Sequence, residues 1–197
     1  MKGMNMRTGN KNSSGVTSDQ IELRKAFLGG FAGQFISGCI WLVAALMSVI
    51  AGDYYDMAVL FFGSMAIFPL TQALLKIMGR HTRLKASNGL WSLGTQIAFT
   101  VPINFLLVGA ITIFRLLWFF PASMIVVGDH YLPFIMLYGL KMFGVLSLTL
   151  VGLGTYLALY GPIMFSLGGW LTGIILIIFA FIRKKIVLDE EAQTTEG

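Results

Sequence analysis

Asp129 and His130 stand side by side within a stretch, Leu116 to Leu140, that is otherwise almost wholly apolar. A carboxylate next to an imidazole can hold or pass a proton, since free histidine titrates near pH 6.5, or it can line a solute site. An ionised Asp at the centre of a membrane helix costs roughly 2.5 to 3.5 kcal/mol on insertion scales, so the pair must be neutral, partnered or wet. Neighbouring helical residues do not face each other, so the two side chains need not pair directly. Gly128 on one side and Pro133 on the other predict a break near Gly128-Asp129. One half-helix would end at Gly128. Asp129 would cap a second, with Pro133 in its first turn, where a missing N–H removes no helical bond. Irregular backbone at membrane depth is tolerated where it lines a cavity, and transporters build solute sites from such breaks. In the alternative reading the pair lies in a wet outer loop and serves only as a cap.

Other polar side chains fall within apolar runs: Gln34, Ser37, Thr71, Gln72, Gln96 and Asn104. Each can bond across helices for about 0.6 kcal/mol. Gln72, Gln96 and Asn104 are the ones expected to outline a hydrophilic pocket with Asp129 and His130. Gly29 and Gly33, and likewise Gly169 and Gly173, have the four-residue spacing that lets helix backbones approach closely, within one bundle or between two copies. Pro69 and Pro102 should bend the helices that carry them.

These residues need a frame, and composition says what it is. The 197 residues are 56% hydrophobic and 12% charged, with mean hydropathy +0.79, against roughly 25% charged in soluble domains. Six apolar runs are each near the length of about 20 residues that crosses a bilayer: Ala26 to Ala51, Met57 to Met78, Leu90 to Phe114, Leu116 to Leu140, Met142 to Tyr160, and a last run ending at Ile182. Thirteen of the fourteen Lys and Arg residues lie on one side of that arrangement, with Arg115 the exception. Cytoplasmic flanks carry the Lys/Arg excess, so both termini are placed in the cytoplasm.

The fold class expected is therefore all-α, an integral membrane bundle of six helices with the fourth broken or distorted. Residues 1–17 read as a disordered cytoplasmic tail, 18–185 as the transmembrane domain and 186–197 as an acidic cytoplasmic tail. Order is expected near Thr17, where Gln20 three residues on resembles a capping box. The polar first 25 residues lack the apolar centre of a cleavable signal, so the first span is read as its own insertion signal. Ser87 or Asn88 should cap the third span, Gly79 should end the second, and Gly161-Pro162 should end the fifth and start the sixth. A three-plus-three division would put two halves in opposite orientation.

Several classes are disfavoured. Cys39 is the single cysteine, so neither an internal disulfide nor a cysteine metal cluster is available. No zincin-type histidine pair, phosphate loop or nucleophile elbow occurs. No cofactor or metal is expected, and an intramembrane enzyme would have to use Asp129 and His130 as acid and base. The net charge of +5 is spread over helix flanks without an aromatic platform, which suits anionic lipid headgroups and not nucleic acid. His81 reads as a solvated loop residue.

Phe68-Pro69-Leu70, Ser87-Asn88, Leu93-Gly94, His130-Tyr131-Leu132-Pro133-Phe134 and Leu137-Tyr138 together resemble a family of small bacterial multi-spanning membrane proteins of unknown function, over residues 20 to 182. The resemblance implies a helical protein of the bacterial cytoplasmic (inner) membrane and draws attention to His130, Pro133 and Tyr138, without giving them a chemical role. The functional expectation is a small transporter or channel-like protein with a polar cavity. Its rival is a scaffold or accessory subunit whose glycine-rich faces bind a second copy or another membrane protein.

Overall fold

The structure, a computed structural model, describes residues 8–80, 84 and 88–196, and gives the backbone alone for 8–17, 53 and 194–196. His81, Arg83, Lys85 and Ser87 lie outside the described residues. Among the described residues the elements are all helical: α1 (Thr8–Phe27), α2 (Phe31–Ile50), α3 (Asp53–Ile77), α4 (Gly89–Phe114), α5 (Phe119–His130), α6 (Leu132–Tyr138), α7 (Met142–Tyr160) and α8 (Leu167–Glu196). Five stretches are long and apolar enough to cross a membrane: Ser18–Ile50, Tyr54–Ile77, Gly89–Phe114, Leu116–Tyr138 and Met142–Tyr160. Their outward faces carry large apolar side chains, Ile113 being 84% and Phe114 90% exposed. That surface suits lipid, since soluble monomers rarely expose broad apolar patches.

The first stretch turns sharply between α1 and α2. Leu28, Gly29 and Gly30 have φ of 49°, 60° and 79°, a left-handed turn that two glycines accept without steric cost. Leu28 accepts it while fully buried. Asn88 starts α4: its Oδ1 accepts from the Leu90 N–H at 3.1 Å, while its Nδ2 donates to Glu22 at 2.8 Å and to the Asp19 carbonyl at 3.3 Å. One side chain thus caps one helix and ties it to α1.

Two groups of helices pack separately. α2 lies against α3 and α8, while α5 lies against α7 and α4. α6 bridges α1, α4 and α7, and α3 meets α4 only sparsely. The groups therefore join the chain's first, second and last long helices on one side and its middle three on the other, unlike a division into sequential halves. Phe120 and Met124 are fully buried where α5 meets α8 at Gly168 and Gly169.

Several elements lie elsewhere than the sequence suggests. Among the described residues helix is already present at Thr8, so Thr17 and Gln20 are interior to α1; Gln20 donates to the Met136 carbonyl. Gly128 and Asp129 lie inside α5, and the interruption falls at Tyr131, whose φ of −79° and ψ of −14° keep the turn right-handed. Pro133 does sit in the first turn of α6, but Asp129 does not cap it. Gly161 ends α7 in an extended conformation and α8 starts at Leu167, because residues 161–166 form a turn of their own. At the other end α8 runs on to Glu196, so 186–196 continue the helix. Val187 is buried there, and the extension is clasped by Arg24 to Glu190 at 2.8 Å and by Arg80 to Glu191 at 2.7 Å.

Candidate functional site

A cavity of about 560 Å³ opens where α2 and α3 face α4, α5 and α6. It follows from the sparse packing of α3 on α4. Pro69 and Pro102, both inside helices, line it, and each removes one backbone N–H from its helical ladder. The walls are mostly apolar and aromatic, with Trp41, Phe99, Trp91, Phe105 and Phe134 among them. Polar groups interrupt them at Gln34, Ser37, Ser64, Thr71, Gln72, Thr95, His130, Tyr131 and Tyr138. A mainly apolar pocket with few polar groups is the usual form of a small-molecule site, for which roughly 300–1,000 Å³ is the common range.

Two of the polar groups have defined orientations. Gln34 Nε2 donates to the Leu176 carbonyl at 2.7 Å, which leaves Oε1 buried with no hydrogen-bond partner. The Thr100 hydroxyl donates to the Ile97 carbonyl at 2.7 Å and lies 3.2 Å from His130 Nδ1. A hydroxyl has one proton, and Thr100 spends it on Ile97. With that proton on Ile97, Nδ1 of His130 is assigned as the donor to Thr100 Oγ1, and in the neutral ring Nε2 as the acceptor.

The aromatic end of the cavity is a cluster formed by α5, α6 and α7. His130 packs on Phe134 with ring centres 5.1 Å apart, and Phe143 stacks on Tyr138 and Tyr131 at 5.5 and 5.9 Å. Tyr131 and Ser37 share a hydrogen bond. Behind this cluster the guanidinium of Arg183 lies 3.7 Å from the centre of the Phe143 ring. Arg183 is fully buried, and among the described residues none of its three side-chain nitrogens has a hydrogen-bond partner. A desolvated cation–π contact contributes about 2 kcal/mol, whereas burying an unpaired ion costs several. Phe143 alone does not offset the burial of Arg183.

Residues 16–184, which include every cavity wall and Arg183, match the model of a family of unknown function, DUF7010. The chain belongs to the DUF7010 family. No curated protein matches it, and no solved structure does.

In this DUF7010 chain the residues singled out from sequence separate. His130, Gln72 and Tyr138 line the cavity, whereas Asp129, Gln96 and Asn104 do not. Asp129 and Gln96 are exposed and Asn104 is half-buried. Asp129 and His130 thus point to different surroundings. Gly33 lines the cavity close to Thr71 of α3, but Gly29 belongs to the left-handed turn and faces Val187 and Leu140, so these two do not form one helix face. Gly169 is packed against Phe120 and Ala45, and Gly173 against Leu42 and Gly38, so that pair makes its close approach within the chain.

Sequence reasoning counted Arg183 only among the cations spread over the helix flanks and missed its inward position. A signal was present. Thr172, Leu176, Ala180, Arg183 and Val187 recur at spacings of four, four, three and four, and all five are buried. Arg183 sits on the apolar stripe, while Lys185 beside it is exposed.

Proposed function

We propose that this protein is a small membrane transporter whose solute site is the cavity between the two helix groups. The observation that carries the reading is the cavity itself: about 560 Å³, largely apolar, with His130, Gln72, Gln34 and Tyr138 spaced along its walls. Its place at a sparsely packed junction supports alternating opening, because helix groups that touch little along one seam separate at low cost. In this reading the apolar part of α8, residues 167–182, is a sixth span. The cation-bearing ends of the helices then face the cytoplasm of a bacterial inner membrane, where anionic headgroups hold them.

The solute expected is a small organic molecule with an apolar body, since the walls offer few hydrogen bonds to a sugar or a bare ion. Flux of naphthalene-based solutes into proteoliposomes tests this. Ala98→Trp, which fills the cavity from α4, should abolish flux while the helical spectrum and elution volume stay unchanged. His130→Ala should reduce it. Retained flux in Ala98→Trp would remove the cavity from the pathway.

A second reading, a subunit that binds another membrane protein, is favoured by Asp129. It is exposed on the outside of α5, about 20 Å along the Leu116–Tyr138 stretch at 1.5 Å per residue, and an acidic group at such depth normally faces protein or water. Crosslinking from position 129 in native membranes separates the readings, because a single stable partner lost in Asp129→Asn supports the second.

A further inference from the structure

The wall of the proposed solute site is thinnest where α3 and α4 meet only sparsely. We infer that the cavity is entered sideways from the bilayer through this seam, and that its ligand is a neutral, membrane-dissolved alcohol or phenol. The inference rests on reading the cavity as a solute site.

The wall residues differ in exposure. Trp41, Phe105 and Val101 line the cavity and are only 2%, 6% and 8% exposed, so facing it does not by itself expose a side chain. Met65 of α3 and Phe99 of α4 line it too, yet they are 51% and 64% exposed. They form the rim of an opening. Met65 lies at the centre of the Tyr54–Ile77 stretch and Phe99 near the centre of Gly89–Phe114, roughly 15 Å or more from either end at 1.5 Å per residue. A hydrocarbon core about 30 Å thick surrounds an opening at that depth, which therefore admits what dissolves in lipid. One end of the seam is shut, because Trp91 of α4 stacks on Phe27 of α1 at 5.4 Å and lies 6.4 Å from Phe68 of α3, ring centre to ring centre.

The walls set the ligand's chemistry. No Asp, Glu, Lys or Arg lines the cavity among the described residues, and an ion taken out of water without a partner is strongly disfavoured. His130 Nε2, assigned as an acceptor through the Thr100 contact, offers a hydroxyl its partner. Ser64 and Thr71, also in the wall, donate to the Phe61 and Ile67 carbonyls at 2.7 and 2.6 Å and so add acceptors. An apolar body with one donor matches such a wall, a plain hydrocarbon leaves the acceptors unmatched, and an ion stays outside.

Spin labels on Ser64→Cys and Ala98→Cys, two positions of the cavity wall, test both parts in a Cys39→Ser background, with the protein in nanodiscs of phosphatidylcholine. Labels at Leu148, on an exposed face of α7, and at Asp189, exposed beyond the apolar part of α8, give the lipid and water references. Collision with oxygen, which dissolves in lipid, and with a water-soluble nickel chelate reports which medium reaches each label. Both wall sites should admit oxygen as Leu148 does and exclude nickel, and either site suffices if the other variant fails to fold. 2-Naphthol loaded into the bilayer should then lower oxygen access at the wall labels to a saturating limit. Naphthalene should need a higher membrane concentration for the same loss, and 2-naphthalenesulfonate should cause none. Nickel access at the wall labels like that at Asp189 overturns sideways entry and leaves the cavity reading standing. A loss caused by the sulfonate, or caused equally by naphthalene and naphthol, overturns the ligand assignment and also leaves the cavity reading standing. Oxygen access that none of the three probes changes overturns the cavity reading and this inference with it.

Discussion

A Cβ on Gly173 would lie 3.0 Å from the carbonyl oxygen of Gly38, and a Cβ on Gly38 would lie 3.1 Å from that of Gly173. The two glycines let α2 and α8 meet backbone to backbone, and Leu42 and Ile177 close the contact at either side. Ile177 and Leu42 can shift, but the backbone oxygens cannot do so without moving a helix. Gly173→Val is expected to lower stability by about 1–3 kcal/mol, the usual cost of overpacking. Gly152, whose added Cβ would meet nothing within 4 Å, is the control: Gly152→Ala should leave thermal unfolding in detergent unchanged or raise it.

The Arg80–Glu191 pair gives the clasp of α8 a pH dependence. Arg80 Nη1 donates to Glu191 Oε1 at 2.7 Å and Nη2 to Oε2 at 2.9 Å, and the hydrogen bond from Arg80 holds the Glu191 carboxyl below its ordinary range. A carboxyl whose folded pKa is depressed stabilises the fold above the unfolded value, near 4.3, and loses that contribution as pH falls through the folded value. Wild type should therefore lose melting temperature as pH is lowered from about 5. Glu191→Gln should flatten that limb, with a neutral-pH cost below about 1 kcal/mol for so exposed a pair. An acid limb of equal steepness in Glu191→Gln counts against the clasp.

What the sequence makes legible here is local punctuation. Met142 to Tyr160 emerges as α7 because Lys141 and Gly161 bound an uninterrupted apolar run, and Asn88 caps α4 because its short side chain reaches Leu90 wherever the bundle places it. Gly79 closes the second span for the same reason, with the Arg80 N–H returning to the Leu75 carbonyl at 2.9 Å. What fails depends on distant partners. Whether Arg183 reaches for headgroups or turns inward depends on Phe143, forty residues away in the chain. Likewise the acidic end of α8 reads as a free tail until Arg24 and Arg80 are brought beside it. Asp129 and His130 illustrate the same limit at the site: adjacency in sequence put them in one hypothesis, and helix rotation puts one on the outer face and the other in the cavity wall.

Asn88 separates capping from tethering. Asn88→Ala removes both and should cost about 1–2 kcal/mol, a cap being typically worth about 1. Asn88→Asp keeps an acceptor for the Leu90 N–H but sets a second carboxylate against Glu22, at the end of a 2.8 Å contact. It should be less stable than wild type at pH 7. Glu22→Gln in the same chain should restore most of the loss, because an amide can then donate to the new carboxylate. Thermal unfolding of the three variants in one detergent checks the order, and a double variant no better than Asn88→Asp rules out the Glu22 contact as the cause.

His130 tests the cavity wall without a flux assay. The Thr100 hydroxyl lies 2.7 Å from the Ile97 carbonyl, to which it is assigned as donor, and with that assignment the 3.2 Å contact with Nδ1 puts the neutral ring's proton on Nδ1 and makes Nε2 an acceptor. Most free histidine prefers the other tautomer, so the nitrogen chemical shifts of the labelled ring report the wall directly. Wild type should show a protonated Nδ1 and a bare Nε2. Thr100→Val removes the acceptor while keeping the shape, should shift the ring toward the Nε2–H tautomer, and should cost about 1 kcal/mol for the donor left unmatched. Because that change turns the cavity-facing nitrogen pattern around, a solute that binds at His130 should change affinity in Thr100→Val with no change in the apolar walls. Identical ring shifts in the two proteins would mean that Thr100 does not hold the imidazole.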